Sequence, residues 1–216
     1  MARVIELHKS VTESNDRDAE ELRRELKDKG MLLINLMSSP GSGKTTLLSR
    51  TIQDMNDHTP IAVLEADIES DVDAVKIEAL GAKSVQVHTD GMCHMDAGMT
   101  RAGLMGMDLS GIRIAFLENV GNLICPAEFD TGAHKNVMIL SVPEGDDKPL
   151  KYPLMFSMCD ALVITKMDTR EYFTFDLDLC IEHVKKLNPD IEIFPVSAKT
   201  GEGMGAWEEY LKKEVF

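Results

Sequence analysis

The sequence predicts an α/β fold in which a mostly parallel, twisted sheet of about seven strands carries helices on both faces. Three observations lead there. Apolar runs of strand length recur along the chain, helical apolar spacing falls between them, and a glycine-rich turn joins the first run to a helical pattern. Runs this apolar suit strands buried on both faces, as in a parallel sheet covered by helices.

In chain order, residues 1–15 read as an N-terminal tail and 16–216 as one domain opened by an amphipathic helix. Within DRDAEELRRELKDK (16–29), Ala19, Leu22 and Leu26 fall at helical spacing among charges, and Gly30 offers a stop. The strand candidates are MLLINLM (31–37), IAVLEA (61–66), SVQV (84–87), IRIAFL (112–117), VMILSV (137–142), ALVIT (161–165) and IEIFPV (191–196). Between them, Val72, Val75, Ile77 and Leu80 precede Gly81, and Leu177, Cys180, Ile181, Val184 and Leu187 precede Asn188-Pro189, giving two helical faces with stops. No repeat, low-complexity tract or linker divides the chain, and its 216 residues suit a single core.

Lys and Arg number 23 against 37 Asp and Glu, a formal charge of −14 that repels phosphate backbones and anionic bilayers alike. Neither nucleic acid nor membrane is therefore expected as a partner. The N-terminal stretch lacks the apolar core of a signal peptide, and no run approaches the ~20 apolar residues of a bilayer span, which predicts a cytoplasmic protein. Cys93, Cys125, Cys159 and Cys180 are too sparse for a disulfide framework, leaving packing or metal binding to explain them. Cys159, before a strand, and Cys180, on an apolar helical face, read as core residues. Met92, Met95, Met99, Met105 and Met107 read as helical packing rather than as a thioether copper site.

Ser38-Ser39-Pro40-Gly41-Ser42-Gly43-Lys44-Thr45 follows the first strand and precedes a helix, the setting of a phosphate-binding loop, with serine in place of the usual first glycine. The fold is therefore expected to be that of a P-loop NTPase. Gly41, Ser42, Gly43, Lys44, Thr45 and Thr46 are its candidate nucleotide contacts. The glycines let backbone amides turn inward, Lys44 brings a cation to the β and γ phosphates, and Thr45 can ligate Mg²⁺. Asp67 and Glu118 each end a strand and complete the candidate magnesium and catalytic set with Lys44 and Thr45. Glu118-Asn119-Val120-Gly121 stands where such enzymes carry DxxG, with the Gly121 amide placed to sense the γ phosphate. Asp71 and Asp73 fall in the switch segment, where they read equally well as acids at a helix N-terminus.

Base choice rests on Thr165-Lys166-Met167-Asp168 after the sixth strand and Ser197-Ala198-Lys199 after the seventh. The Asp168 carboxylate can accept from the two donors of guanine N1 and N2, a pairing adenine cannot offer, while Lys166 lies along the base. Thr165 stands where the NKxD signature has Asn. GTP and GDP are thus the expected ligands.

Cys93-His94 follows the third strand and Cys125 follows Glu118 by seven residues, so both are expected in loops at the carboxyl ends of neighbouring strands, meeting near the nucleotide. Thiolate and imidazole suit Ni²⁺ or Zn²⁺, although three protein ligands leave the coordination incomplete. By spacing alone, a CH pair with a distant Cys is more often two buried thiols and one hydrogen-bonded histidine than a metal site.

The segments SSPGSGKTTLL, EADIESDVDA, CHMDA, ENVGNLICP and EGDDKPLKYP, in this order, resemble the HypB family of hydrogenase nickel incorporation proteins, and the resemblance covers residues 31–216. It implies a homodimerising GTPase that hydrolyses GTP slowly and gates transfer of metal held by Cys93, His94 and Cys125. It also implies a hydrogenase maturation partner, HypA, and the large subunit of the nickel–iron hydrogenase as recipient. Lys148 and Lys151 fall in a DKPLKYP segment, which in the family lies near the subunit interface where a lysine reaches the partner's nucleotide. The Cys- or His-rich N-terminal nickel site of some members is absent, since His8 alone does not replace it, and Asp90 before Gly91 is a further departure. A urease-accessory GTPase is the nearest alternative, but its metal motif is CPH, whereas Cys93-His94 and Cys125-Pro126 stand apart here. A metal-storage or sensing protein with a structural nucleotide site is the other, and Lys44, Thr45 and the two acids weigh against it.

Overall fold

Seven apolar segments form seven strands: β1 (Leu32–Ser38), β2 (Ile61–Asp67), β3 (Lys83–His88), β4 (Ile114–Glu118), β5 (Lys135–Ser141), β6 (Ala161–Thr165) and β7 (Glu192–Pro195). The helices are α1 (Leu7–Asp28), α2 (Lys44–Met55), α3 (Val72–Ala79), α4 (Ala97–Met105), α5 (Lys148–Lys151), α6 (Pro153–Ser157), α7 (Leu177–Leu187) and α8 (Met204–Glu214). The computed structural model describes residues 7–67, 72–89 and 91–216, with the side chains of 7–12, 67 and 72–75 outside that description. Asp71 and Asp90 therefore lie outside the described residues, as do the side chains of His8, Asp67 and Asp73.

The sheet order is β3-β2-β4-β1-β5-β6-β7, and every pairing is parallel. β1 is buried along its whole length, as its unbroken apolar run requires at the centre of a doubly covered sheet. After β1 the chain continues to β2 on one side and, after β4, crosses β1 to β5 on the other, and loops at the carboxyl ends open into the crevice there.

Alternate residues of each strand face opposite layers. Leu32, Ile34 and Leu36 of β1 pack with Leu48 and Ile52 of α2 and with Trp207 and Leu211 of α8. On the opposite face, Met155 and Phe156 of α6 and Cys180 and Val184 of α7 cover the β5–β6 half, while Leu22 and Leu26 of α1 and Leu104 of α4 cover the β2–β4 half. Cys159 and Cys180 are both core residues. Burial pushes their thiol pKa values up, to about 12 for Cys180, and Cys159 Sγ donates to Met155 O at 3.0 Å.

Three expectations need correction. Helix α1 begins at Leu7, so 7–15 is helical rather than tail, and residues 1–6 lie outside the described residues. Asn15 anchors that stretch by donating to Asp130 O at 2.8 Å and accepting from the Ala97 N–H at 3.0 Å, long-range contacts that helical periodicity cannot foresee. β3 and β4 are not neighbours, because β2 lies between them. Finally, Met105 is 81% exposed and Met92 38%, whereas Met95 is fully buried. A Cβ on Gly103 would stand 2.7 Å from the Val87 side chain, so α4 presses its Gly103–Leu104 side to the sheet and turns Met105 outward.

Among the described residues no helix is long and apolar enough to cross a membrane. The amino-terminal ends of β1 and β5, beneath α1, carry a pH-sensitive joint. His134 Nδ1 accepts from the Leu33 N–H at 3.0 Å and its Nε2 donates to Arg23 O at 2.9 Å, a pairing open only to the neutral ring. Burial, first of several causes, holds the His134 pKa below the ordinary 6.5. The unfolded chain then binds more protons, so this contribution to stability is full above the ordinary value and is lost as pH falls from there toward the folded value. Melting temperature is expected to drop on acidification through about pH 6, with a shallower slope for His134→Gln. An equal slope in the variant would rule the joint out.

Candidate functional site

The phosphate loop is built from backbone conformations that side chains disfavour. Gly41 and Gly43 adopt φ of +73° and +96°, and Gly43 caps α2 with no side chain, leaving the first N–H groups of the helix directed at the cleft. Lys44 Nζ donates to Ser38 Oγ at 2.8 Å, so the serine that replaces the first glycine gives the lysine a resting partner. Ser42 is buried and Thr46 exposed. A Cβ on Gly121 would come within 3.0 Å of Pro40, which brings the 118–121 loop against the phosphate loop.

A cleft of about 340 Å³ opens between these loops and is lined by Lys44, Thr45, Glu65, Glu118 and Asn119 among others. Thr45 Oγ1 donates to Glu118 Oε1 at 3.2 Å. A hydroxyl beside a carboxylate is the hard-oxygen donor set Mg²⁺ takes, so these residues fit that ion. Asp67 is the last residue of β2. Glu65 was missed. It is 3% exposed, stands in register with Glu118, and lies two residues before Asp67, a strand-period spacing present in IAVLEAD.

On the other side of the phosphate loop, Thr165 Oγ1 donates to Ser42 O at 2.6 Å and Lys166 Nζ to Gly41 O at 2.7 Å. Thr165 and Lys166 thus both tie the 165–168 loop to the phosphate loop. Lys166 has φ +61°, the one positive value outside glycine among the described residues, and this turn aims the following Asp168 back toward the SAK segment. There Ser197 Oγ donates to Asp168 Oδ1 at 2.8 Å and accepts from the Thr200 N–H at 3.2 Å, fixing the carboxylate. Ser197 is buried, Ala198 half-buried and Lys199 exposed.

The Cys93-His94 loop and the Cys125–Ala127 turn reach across the carboxyl end of β2. Cys93 and Cys125 come within hydrogen-bonding range, and that contact, followed by burial, raises the Cys93 pKa. His94 Nδ1 lies 3.9 Å from Cys93 Sγ, but its ring stacks on Phe129 with centroids 3.7 Å apart and planes 13° from parallel. Burial, opposed by the Asp96 and Glu128 charges, lowers its pKa and so favours the neutral imidazole. Among the described residues no three His, Cys, Asp or Glu side chains are grouped to hold a metal ion, so within one chain the expected triad is a thiol pair with an imidazole turned aside.

Lys148 and Lys151 bracket α5. Lys148 Nζ sits 3.7 Å from Glu144 and 5.4 Å from the Tyr152 ring centroid, while the more exposed Lys151 pairs with Asp147 at 2.5 Å. Leu150 and Leu154 beside them are 59% and 55% exposed, and Ile124, next to Cys125, is 60% exposed.

A family model described as CobW/HypB/UreG, nucleotide-binding domain, matches residues 32–195. The hydrogenase maturation factor HypB of Azotobacter vinelandii is 44% identical over 213 residues, 99% of this chain and 70% of that protein. The crystal structure of hydrogenase maturation factor HypB from Archaeoglobus fulgidus superposes with a TM-score of 0.87 at 35% identity, covering 93% of this chain and 98% of that one. HypB from Helicobacter pylori in complex with nickel gives 0.87 at 36% identity, covering 93% and 94%.

Proposed function

Since the chain belongs to the HypB hydrogenase maturation factors of the CobW/HypB/UreG nucleotide-binding family, we propose that it is a GTPase whose nucleotide cycle gates delivery of nickel to a nickel–iron hydrogenase. One observation carries this reading. The continuous segment from Glu118 to Cys125 holds, at one end, the carboxylate bonded to Thr45 and, at the other, the thiol that meets Cys93. Whatever moves the first end is felt at the second.

GTP binds with its phosphates on the Gly41–Thr46 backbone and Lys44, and its base against Lys166 and Asp168, in the loop completed by Ser197, Ala198 and Lys199. Thr45, Glu118 and Asp67 would hold Mg²⁺, which would supply charge neutralisation at the phosphates. Lys44 leaves Ser38 to meet the charge that develops on the γ phosphate, and the Gly121 amide, packed on Pro40, registers its loss. Nickel is the cargo, with zinc as its competitor. Cys93 and Cys125 supply soft thiolates, and His94 joins them by rotating off Phe129.

Two thiols and one imidazole leave coordination open, which a two-fold homodimer closes by bringing two such sets together. The exposed Ile124, Leu150 and Leu154 supply apolar surface for that contact, with Lys148 and Lys151 beside it for the partner's nucleotide. HypA and the hydrogenase large subunit are the proposed donor-side partner and recipient.

Sedimentation with the four combinations of Ni²⁺ and a nonhydrolysable GTP analogue tests the reading, and linkage requires metal and nucleotide to strengthen each other equally through the dimer. Cys93→Ala and Cys125→Ala are expected to weaken Ni²⁺ and Zn²⁺ binding at least about tenfold. Affinity of the wild type should rise with pH, because binding displaces thiol protons. Unchanged metal affinity in both variants would sink the site.

A further inference from the structure

A chain of side-chain amides, two of them buried, runs through the sheet beside the cleft. Asn119, 1% exposed, follows Glu118 directly, and its backbone N–H extends the β4–β1 ladder by donating to Leu36 O at 3.0 Å. Its side-chain Oδ1 accepts from two backbone donors, the Val120 N–H at 2.9 Å and the Met95 N–H at 3.3 Å. Two N–H groups facing one atom identify that atom as oxygen, so Nδ2 is the group that donates to Asn35 Oδ1 at 3.0 Å. Asn35, also 1% exposed, passes the pattern on by donating to Asn136 Oδ1 at 3.0 Å.

We propose that Asn119 is a positioning residue that carries the state of the nucleotide cleft to the Cys93-His94 loop. This inference rests on the proposed function above and names the part that does the coupling. Met95 is the residue immediately after His94, and its side chain is fully buried. The Asn119–Met95 bond therefore fixes one stem of the thiol-imidazole loop at a buried point. On the cleft side, Asn119 lies between Glu118, bonded to Thr45, and the Val120-Gly121 turn packed on Pro40. A shift of the 118–121 loop must carry the Asn119 side chain with it or break the Met95 bond, because the same Oδ1 serves Val120 and Met95.

A second link, from Asn122 Nδ2 to Cys93 O at 3.4 Å, is longer and exposed, so water competes for it. In the buried link no solvent molecule replaces the lost partner, and the cost of leaving the Met95 N–H unpaired makes the two loops move as one. The amide chain toward Asn35 and Asn136 anchors Asn119 to β1 and β5, which sets the angle at which its oxygen meets Met95.

The test compares Ni²⁺ affinity with and without a nonhydrolysable GTP analogue in wild type, Asn119→Ala and Asn119→Ser. Serine can still turn back on the Val120 N–H but is too short for Met95, so it preserves the local turn if alanine does not fold. Asn122→Ala serves as the exposed control. In wild type the analogue is expected to change metal affinity about tenfold, in Asn119→Ser less than about twofold, and in Asn122→Ala nearly as in wild type. Amide exchange at Met95 is expected to speed up in the folded Asn119 variants and not in Asn122→Ala. Full coupling in the folded Asn119 variants overturns the inference while leaving the proposed function standing. No coupling in wild type overturns the proposed function itself, and the inference with it.

Discussion

Lys44→Ala is expected to slow single-turnover GTP hydrolysis about 10²- to 10³-fold, the usual cost of deleting one preorganised transition-state charge. The side chain is half-buried at the first position of α2 and reaches over the phosphate loop to Ser38. It belongs to none of the three apolar clusters, so its removal opens no cavity. The far-ultraviolet spectrum should be unchanged, and the melting temperature without nucleotide should stay within a few degrees of wild type. Ser38 loses its partner in the same variant, yet its hydroxyl still donates to Ser39 O at 2.8 Å, so no orphaned donor confuses the result. Hydrolysis within about threefold of wild type would mean that the loop holds phosphate without acting on it.

What the sequence disclosed was what is local. The phosphate loop, the ends of β1, β4 and β6, and the core placement of Cys159 and Cys180 each depend on a few adjacent residues and their period. Strand order was hidden, because seven apolar runs of similar composition do not record which lies beside which, and the thiol loops therefore had to cross β2 rather than meet over neighbours. The stacking of His94 on Phe129 and the docking of Asn15 on two loops join residues 35 and more than 80 positions apart, beyond any periodic signal. Glu65 is a different kind of omission. Its spacing from Asp67 was visible, but a carboxylate inside an apolar run passes for a strand residue until its register with Glu118 is known.

The base site gives the second large effect. Asp168 can accept two hydrogen bonds from guanine, and bonds to a charged acceptor contribute about 1.5–3 kcal/mol each, so GTP is expected to bind about 10²- to 10⁴-fold more tightly than ATP. The pairing depends on a carboxylate that is already oriented. Ser197 Oγ holds Oδ1 at 2.8 Å, Met167 N–H bonds Val196 O at 3.1 Å, and Thr165 fastens the same loop to Ser42, so little ordering remains to be done when the base arrives. That geometry survives an isosteric change, since Asp168→Asn keeps a carbonyl oxygen for Ser197 and exchanges one acceptor for an amide donor. The new donor opposes the guanine N2 group and matches the carbonyl xanthine carries in its place, so preference should pass from GTP to xanthosine triphosphate. Competition binding with the two nucleotides and ATP reads this directly. A variant that still prefers GTP over the xanthine nucleotide, or a wild type that binds ATP equally well, would remove Asp168 from the base site and the guanine assignment with it.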